Sequence, residues 1–270
     1  MSEAATTIDL LEGTWKSIGQ LCHGLDEQRS RLATDCPGWT VRDQIAHVIG
    51  SERGMRGEAP PDVEVTTAHV HNPLGAFNER WVVTRRDVPF DTLLVEYHEI
   101  AAERIAEHRA LTPDQLSEIV PTPAGRVPLA DFIDLRVFDC FTHEQDIRRA
   151  LGAPGRLDSE EARRAVRRMA AGLPRVVARI VGAPDGTRAR FRVEGPAGGD
   201  WTVVVDDRRG RLQEGDVGAV MATLVSDVET FLCLCAGRWS AERVLAQERL
   251  QLESNTDFGH RIAQRLTLVP

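Results

Sequence analysis

Apolar residues recur at helical spacing through the first half of the chain. Ile8, Leu11, Trp15, Ile18, Cys22 and Leu25 follow one another at intervals of three and four, one stripe of an amphipathic helix. The segment DCPGWTVRDQIAHVIG predicts a turn at Pro37-Gly38 and a second helix starting at Thr40. Thr40 and Asp43 have the spacing of a capping pair, and Val41, Ile45 and Val48 supply an apolar side. A third helical region runs from Leu74 to Ala110. It is broken near Pro89, because proline lacks the donor N–H and clashes with the preceding turn. Asp91 is placed to cap the restart, and Leu94, Tyr97 or His98, Ala101 and Ile105 line one face. Residues 111–128 read as a connector carrying a short helix. A fourth long helix covers Leu129 to Leu151 and stops before Gly152 and Pro154. Four such helices can bury their stripes against one another as a bundle.

The second half has another texture. Ser159 to Val181 reads as an arginine-rich helix. RARFRVEG and DWTVVVDD then alternate or cluster β-branched residues between glycine-rich turns, as antiparallel strands do, and a third strand is expected over Ala219 to Val225. VETFLCLCAG, SAERVLAQ and DFGHRIAQRL read as helices, and LQLES as a short strand or a loop. The pattern predicts a two-domain α+β protein: a helical bundle over residues 1–155 and a smaller α/β domain over 156–270, with the boundary in the Gly- and Pro-rich stretch from Gly152 to Ser159.

Composition narrows the class. The 270 residues are 42% hydrophobic and 27% charged, which suits a folded globular protein and not a disordered one. No apolar run approaches the roughly 18 residues of a membrane span. The start, MSEAATTIDLLEG, lacks the basic region of a secretion signal, so a cytoplasmic protein is expected. A net charge of −8 gives no global attraction to nucleic acid. Five irregularly spaced cysteines then read as reduced thiols. Lys16 is the only lysine among 33 basic residues, the mark of a GC-rich genome.

The sharpest chemical signal is RVFDCFTHEQDIRRALG. Asp139 and His143 are four apart and share one helix face. A carboxylate among Phe138, Cys140 and Phe141 is costly to bury unless something neutralises it. A divalent metal would do so, and so would a plain Asp–His pair. His47 can supply a third ligand from the second helix. Two imidazoles and one carboxylate leave a fourth position open, the arrangement of catalytic and not of structural zinc.

Other candidates carry less. His69 and His71 read as solvated loop histidines. Cys233 and Cys235 read as small core residues, and Cys36 as an exposed thiol without a base. The 163-RRAVRR-168 run follows Glu160 and Glu161 and reads as a solvated helix face. No glycine-rich phosphate loop is present.

DCPGWTVRDQIAHV and RVFDCFTHEQDIRRALG resemble the two signatures of the mycothiol-dependent maleylpyruvate isomerase family, within the DinB-like four-helix metal proteins. The resemblance spans most of the first 152 residues, and the second half looks like the sterol-carrier-like domain that many members carry. It implies a divalent metal, usually zinc, on His47, Asp139 and His143, with aspartate standing where the family often has glutamate. It also implies a C-terminal arginine acting near the metal, for which Arg238 in ETFLCLCAGRWSAERVL is the candidate. A structural role for Arg238, as a cation at a helix C-terminus, fits as well. The implied partners are mycothiol and a small electrophilic substrate, with neither nucleic acid nor membrane. The reaction would be cis–trans isomerisation of a maleylpyruvate-like acid or transfer of the thiol to an electrophile. The rival reading is a non-catalytic, metal-stabilised protein that binds a small apolar ligand.

Overall fold

In the computed structural model, which describes residues 3–65, 68–122 and 125–268, the chain divides into two units, 1–154 and 155–269. The first is built on four long helices: α1 (Glu3–Cys22), α3 (Val41–Met55), α5 (Phe90–Arg109) and α7 (Leu129–Leu151). Their stripes meet as the spacing predicts. Leu11, Trp15 and Ile18 of α1, Ile45 and Ile49 of α3, Leu93 and Tyr97 of α5, and Val137 and Cys140 of α7 form one core. Two of its polar groups pair across helices. The Tyr97 hydroxyl donates to the Trp15 carbonyl (2.9 Å), and Trp15 Nε1 donates to Cys140 Sγ (3.1 Å).

Helix α3 is buried on nearly every side, from Val41 through Gly50. The break at Pro89 separates α5 from α4 (Pro73–Val83), which lies across α3. That approach depends on Gly50, because a Cβ there would come within 2.2 Å of Trp81 Cβ. Asp43 accepts from both the backbone N–H and the hydroxyl of Thr40 (2.8 Å each), as their spacing predicts. Asp91 does not cap α5. Pro89 holds that position without a side-chain bond, and Asp91 sits inside the first turn, where a negative charge still meets the helix dipole favourably.

The connector holds more than a helix. A four-residue α2 (Glu27–Ser30) stands outside the connector, before α3, while after α6 (Pro113–Ser117) a hairpin pairs β1 (Ile119–Thr122) with β2 (Gly125–Pro128). Its Pro121 and Pro128 argue against strand by composition. A two-stranded ribbon tolerates them because each strand has a free edge.

The second unit carries a five-stranded sheet in the order β5-β4-β3-β6-β7. The strands are β3 (Arg188–Glu194), β4 (Gly199–Asp206), β5 (Arg209–Glu214), β6 (Ala222–Asp227) and β7 (Leu250–Ser254), all antiparallel neighbours except the parallel pair β3–β6. Phe191 registers with Trp201 and Leu224, and Ala189 with Val203 and Ala222, so one face is apolar. Against it lie α8 (Glu160–Ala170), α10 (Val228–Cys235) and α12 (Thr256–Ala263). The other face carries ion pairs, including Arg190–Asp200 (2.6 Å) and Arg192–Glu253 (3.4 Å). β7 forms where the sequence left strand and loop open. β5 was not expected, because RGRLQE has Leu212 as its one apolar side chain, as an edge strand can.

The single helix expected over Ser159 to Val181 is three pieces. α8 ends at Ala170, α9 covers Leu173–Arg175, and a π-helical turn runs over Val176–Ile180. Gly172 and Pro174 explain the break. α11 (Ala241–Ala246) completes the unit.

Candidate metal centre

α3 and α7 lie side by side in the first unit, and their facing residues bring His47, Asp139 and His143 together. One donor atom from each falls within 4.8 Å of the other two. His47 Nε2 is 3.3 Å from Asp139 Oδ2, and His143 Nε2 is 3.6 Å from Asp139 Oδ1. The imidazole centroids are 4.5 Å apart. The two histidines are buried, whereas the Asp139 side chain is 30% exposed, so the cluster is reachable from that side.

The surroundings set the charge states. Burial, then the charge of His143, pushes His47 down to about 4, which keeps its imidazole neutral near pH 7. Removal from water works against the Asp139 carboxylate. The Arg136 guanidinium, followed by the two imidazoles, more than offsets this and holds Asp139 well below the usual carboxylate range. Arg136 donates directly to Asp139 Oδ2, and its Nε donates to buried Glu52 (3.0 Å), which also pairs with Arg104 (3.0 Å). Asp139 therefore has one cation already, supplied by the protein. The donor set still suits a divalent metal: a neutral imidazole, a second imidazole and an ionised carboxylate converge on one point.

An outer ring holds these side chains in place. Trp39 packs over both imidazoles, at centroid distances of 5.0 and 5.7 Å. Its Nε1 donates to the buried carboxylate of Glu79 (2.7 Å), which also meets His69 Nε2 (3.1 Å) and Arg86 (2.7 Å). His69 is thus not the solvated loop residue its context suggests. It lies over Gly38, where a Cβ would come within 2.2 Å of its ring, and Gly38 has φ +78°. Cys36 is also buried rather than exposed, and its thiol groups with His143 and Asp146 as a second cluster within 4.8 Å. Sequence reading missed Trp39, Gln44, Arg136 and Asp146. Three of them had a legible signal, since Gln44, Arg136 and Asp146 each stand one helical turn from His47, Asp139 or His143.

Arg238 lies in the second unit, just after α10, where Gly237 turns the chain at φ +66°. Its guanidinium donates to the Ala236 carbonyl (3.0 Å), as a helix C-terminal cation does. Cys233 and Cys235 are buried in α10, as expected of core residues. The Arg163 to Arg168 run lies on α8, with Ala165 and Val166 inward, Arg167 and Arg168 exposed, and Arg163 on Glu160 (3.1 Å). Among the described residues, no helix is long and apolar enough to cross a membrane.

A helical bundle with a His–Asp–His cluster whose two imidazoles are buried, followed by a sheet layered with helices, defines a two-domain α+β protein. Residues 11–148 match the family described as "Mycothiol maleylpyruvate isomerase N-terminal domain", and residues 174–267 match the "SCP-2 sterol transfer family". The first match covers half of the chain, and the chain belongs to the mycothiol maleylpyruvate isomerase family. Among solved structures it is similar to the mycothiol-dependent maleylpyruvate isomerase (TM-score 0.61, 17% identity, 93% of each chain covered) and to a point mutant of that enzyme (TM-score 0.60, 16% identity, 93% of each). At such identities the likeness is one of fold. Two uncharacterized proteins from two strains of Mycobacterium tuberculosis are 31% identical over 138 residues, 51% of this chain. The match spans 62% of the length of those relatives.

Proposed function

We propose that this protein is a metal-dependent enzyme that uses mycothiol as co-substrate, with zinc held by His47, Asp139 and His143. The observation that carries the reading is the convergence of two imidazoles and a carboxylate within 4.8 Å, with its one partly exposed member at Asp139. Three protein donors leave room for a thiol. A divalent metal there would lower the pKa of that thiol, supplying a sulfur nucleophile at neutral pH.

The chain's own residues supply the rest. His47, neutral well below pH 7, offers its lone pair without first losing a proton. Arg136 keeps Asp139 ionised. Trp39 walls one side of both imidazoles. Addition of the thiol to a cis double bond, rotation and expulsion of the same thiol returns every atom and gives the trans acid. Transfer of the thiol to an electrophile uses the same nucleophile. Isomerisation of a maleylpyruvate-like acid is the reading favoured here, because the family carries that name. Arg238 is assigned to a substrate or thiol carboxylate, for which a guanidinium is the matching partner.

The test is turnover of maleylpyruvate by zinc-loaded protein, followed by ultraviolet absorbance and proton NMR, with and without mycothiol. Formation of the trans isomer only when metal and thiol are both present is the expected result. Arg238→Ala should lower the rate while leaving zinc content unchanged. Loss of mycothiol to an added electrophile, without isomerisation, moves the assignment to S-transfer. The match of residues 174–267 to a sterol-transfer family favours one other reading, a binding protein for a small apolar ligand. Tight binding of such a ligand together with no thiol-dependent reaction would replace the enzyme reading.

A further inference from the structure

His143 presents two different nitrogens to its surroundings, and the donors and acceptors around it decide which one keeps a proton. Nδ1 faces Gln44 Oε1 at 2.5 Å and, farther off, Asp146 Oδ2 at 3.7 Å. Nε2 faces Asp139 Oδ1 at 3.6 Å. Which end of the Gln44 amide meets the ring is settled from its other side. The Thr34 hydroxyl lies 2.8 Å from the Trp39 carbonyl, which can only accept, so its proton is committed there. The Thr34 oxygen then accepts, from the Cys36 N–H (3.3 Å) and from Gln44 Nε2 (2.8 Å). With the amide nitrogen turned to Thr34, the amide oxygen is what meets His143. An amide oxygen and a carboxylate are both acceptors, so Nδ1 must carry the hydrogen.

We infer that Gln44, oriented by Thr34 and joined by Asp146, is a positioning residue that locks His143 with its proton on Nδ1 and aims Nε2 at the metal position beside Asp139. The inference rests on the reading of the His47–Asp139–His143 cluster as a metal centre. It also decides between the two donor clusters that share His143. The nitrogen facing Asp146 holds a proton and cannot ligate. The Cys36–His143–Asp146 group is therefore the outer ring of the same centre and not a second ion site. Asp146 is itself held by Arg149 (2.5 Å), which is paired with Asp35 (2.7 Å), so the ring extends from α7 back to the turn before α3. Partners of this kind tune metal affinity by about 10- to 100-fold elsewhere.

Two measurements test this, with zinc alone as the probe. The first is long-range proton–nitrogen NMR on zinc-loaded protein labelled with 15N-histidine. It should show His143 with a protonated Nδ1 and zinc on Nε2. The second is competition with a chromophoric chelator. Gln44→Leu should weaken zinc binding by roughly 10- to 100-fold with the helical circular dichroism retained. Gln44→Glu, which keeps an acceptor oxygen, should stay within about threefold of wild type on the same scale. Thr34→Val leaves Gln44 in place and frees its amide to turn. It should give an intermediate loss and serves if Gln44→Leu does not fold. A protonated Nε2 with zinc on Nδ1 overturns the inference, as does wild-type affinity in both Gln44→Leu and Thr34→Val. Failure of the wild-type protein to bind zinc at all would instead remove the metal reading, and the inference with it.

Discussion

His108 gives the sharpest prediction of acid sensitivity. It sits near the end of α5, 4% exposed, and its Nε2 has no hydrogen-bond partner among the described residues. Burial, then the charge of Arg104, pushes it down from 6.5 to about 4. The folded protein therefore holds it neutral where the unfolded chain has taken up a proton. Stability from this residue is complete above pH 6.5 and is lost as pH falls through 6.5 toward 4. The gap of about 2.5 units, at ~1.36 kcal/mol each, is worth about 3 kcal/mol, roughly three quarters of it gone by pH 4.5. The assay is urea unfolding of metal-free protein, followed by tryptophan fluorescence between pH 7.5 and 4.5. His108→Leu should lose about 2 to 3 kcal/mol less than wild type over that range, and should match or exceed wild type at pH 7.5. Parallel stability curves for the two proteins would refute the reasoning, because they would mean that His108 titrates alike in the folded and unfolded states.

Further outcomes follow from single contacts. Asp43→Ala removes the acceptor for both Thr40 donors and one partner of Arg86 (3.2 Å), and should cost about 1 to 2 kcal/mol in denaturant unfolding. Glu79→Leu leaves three donors, including Trp39 Nε1, without their acceptor, and should cost on the order of 3 kcal/mol. Glu79→Gln keeps one oxygen and should cost clearly less in the same denaturant unfolding, so equal losses would contradict the assignment. All five cysteines are buried and held as thiols in place of disulfides, and burial pushes Cys22 and Cys140 up to about 12. A chromogenic thiol reagent at pH 8 should leave native protein unlabelled over minutes and titrate five thiols in urea.

The helices that carry the cluster were legible because their stripes are long and strongly periodic. Val41, Ile45 and Val48 of α3 and the Asp139–His143 spacing on α7 fixed which faces would meet. The hairpin of β1 and β2 and the edge strand β5 were not legible. Short strands with free edges need neither alternation nor apolar residues, so RGRLQE carries no signal until β4 is beside it. The charge around the cluster was half visible. The sequence offers a divalent metal or a plain Asp–His pair to neutralise Asp139. Arg136, one turn earlier on the same helix, already contributes a cation. His69 reads as solvated from its context because its partner Glu79 lies on α4, ten residues away, and only the fold brings Glu79 beneath Trp39. Arg238 shows the reverse limit. Its local bond to Ala236 follows from its place after a helix, while its chemical role rests on resemblance.

The central claim is that His47, Asp139 and His143 together hold one metal ion. Zinc bound per chain, measured by elemental analysis after equilibration with limiting zinc and desalting, tests it most directly. Wild-type protein should retain one equivalent. His47→Ala, Asp139→Ala and His143→Ala should each retain almost none while keeping the helical circular dichroism of the wild type. Equal zinc in all four proteins, or none in the wild type, would contradict the account.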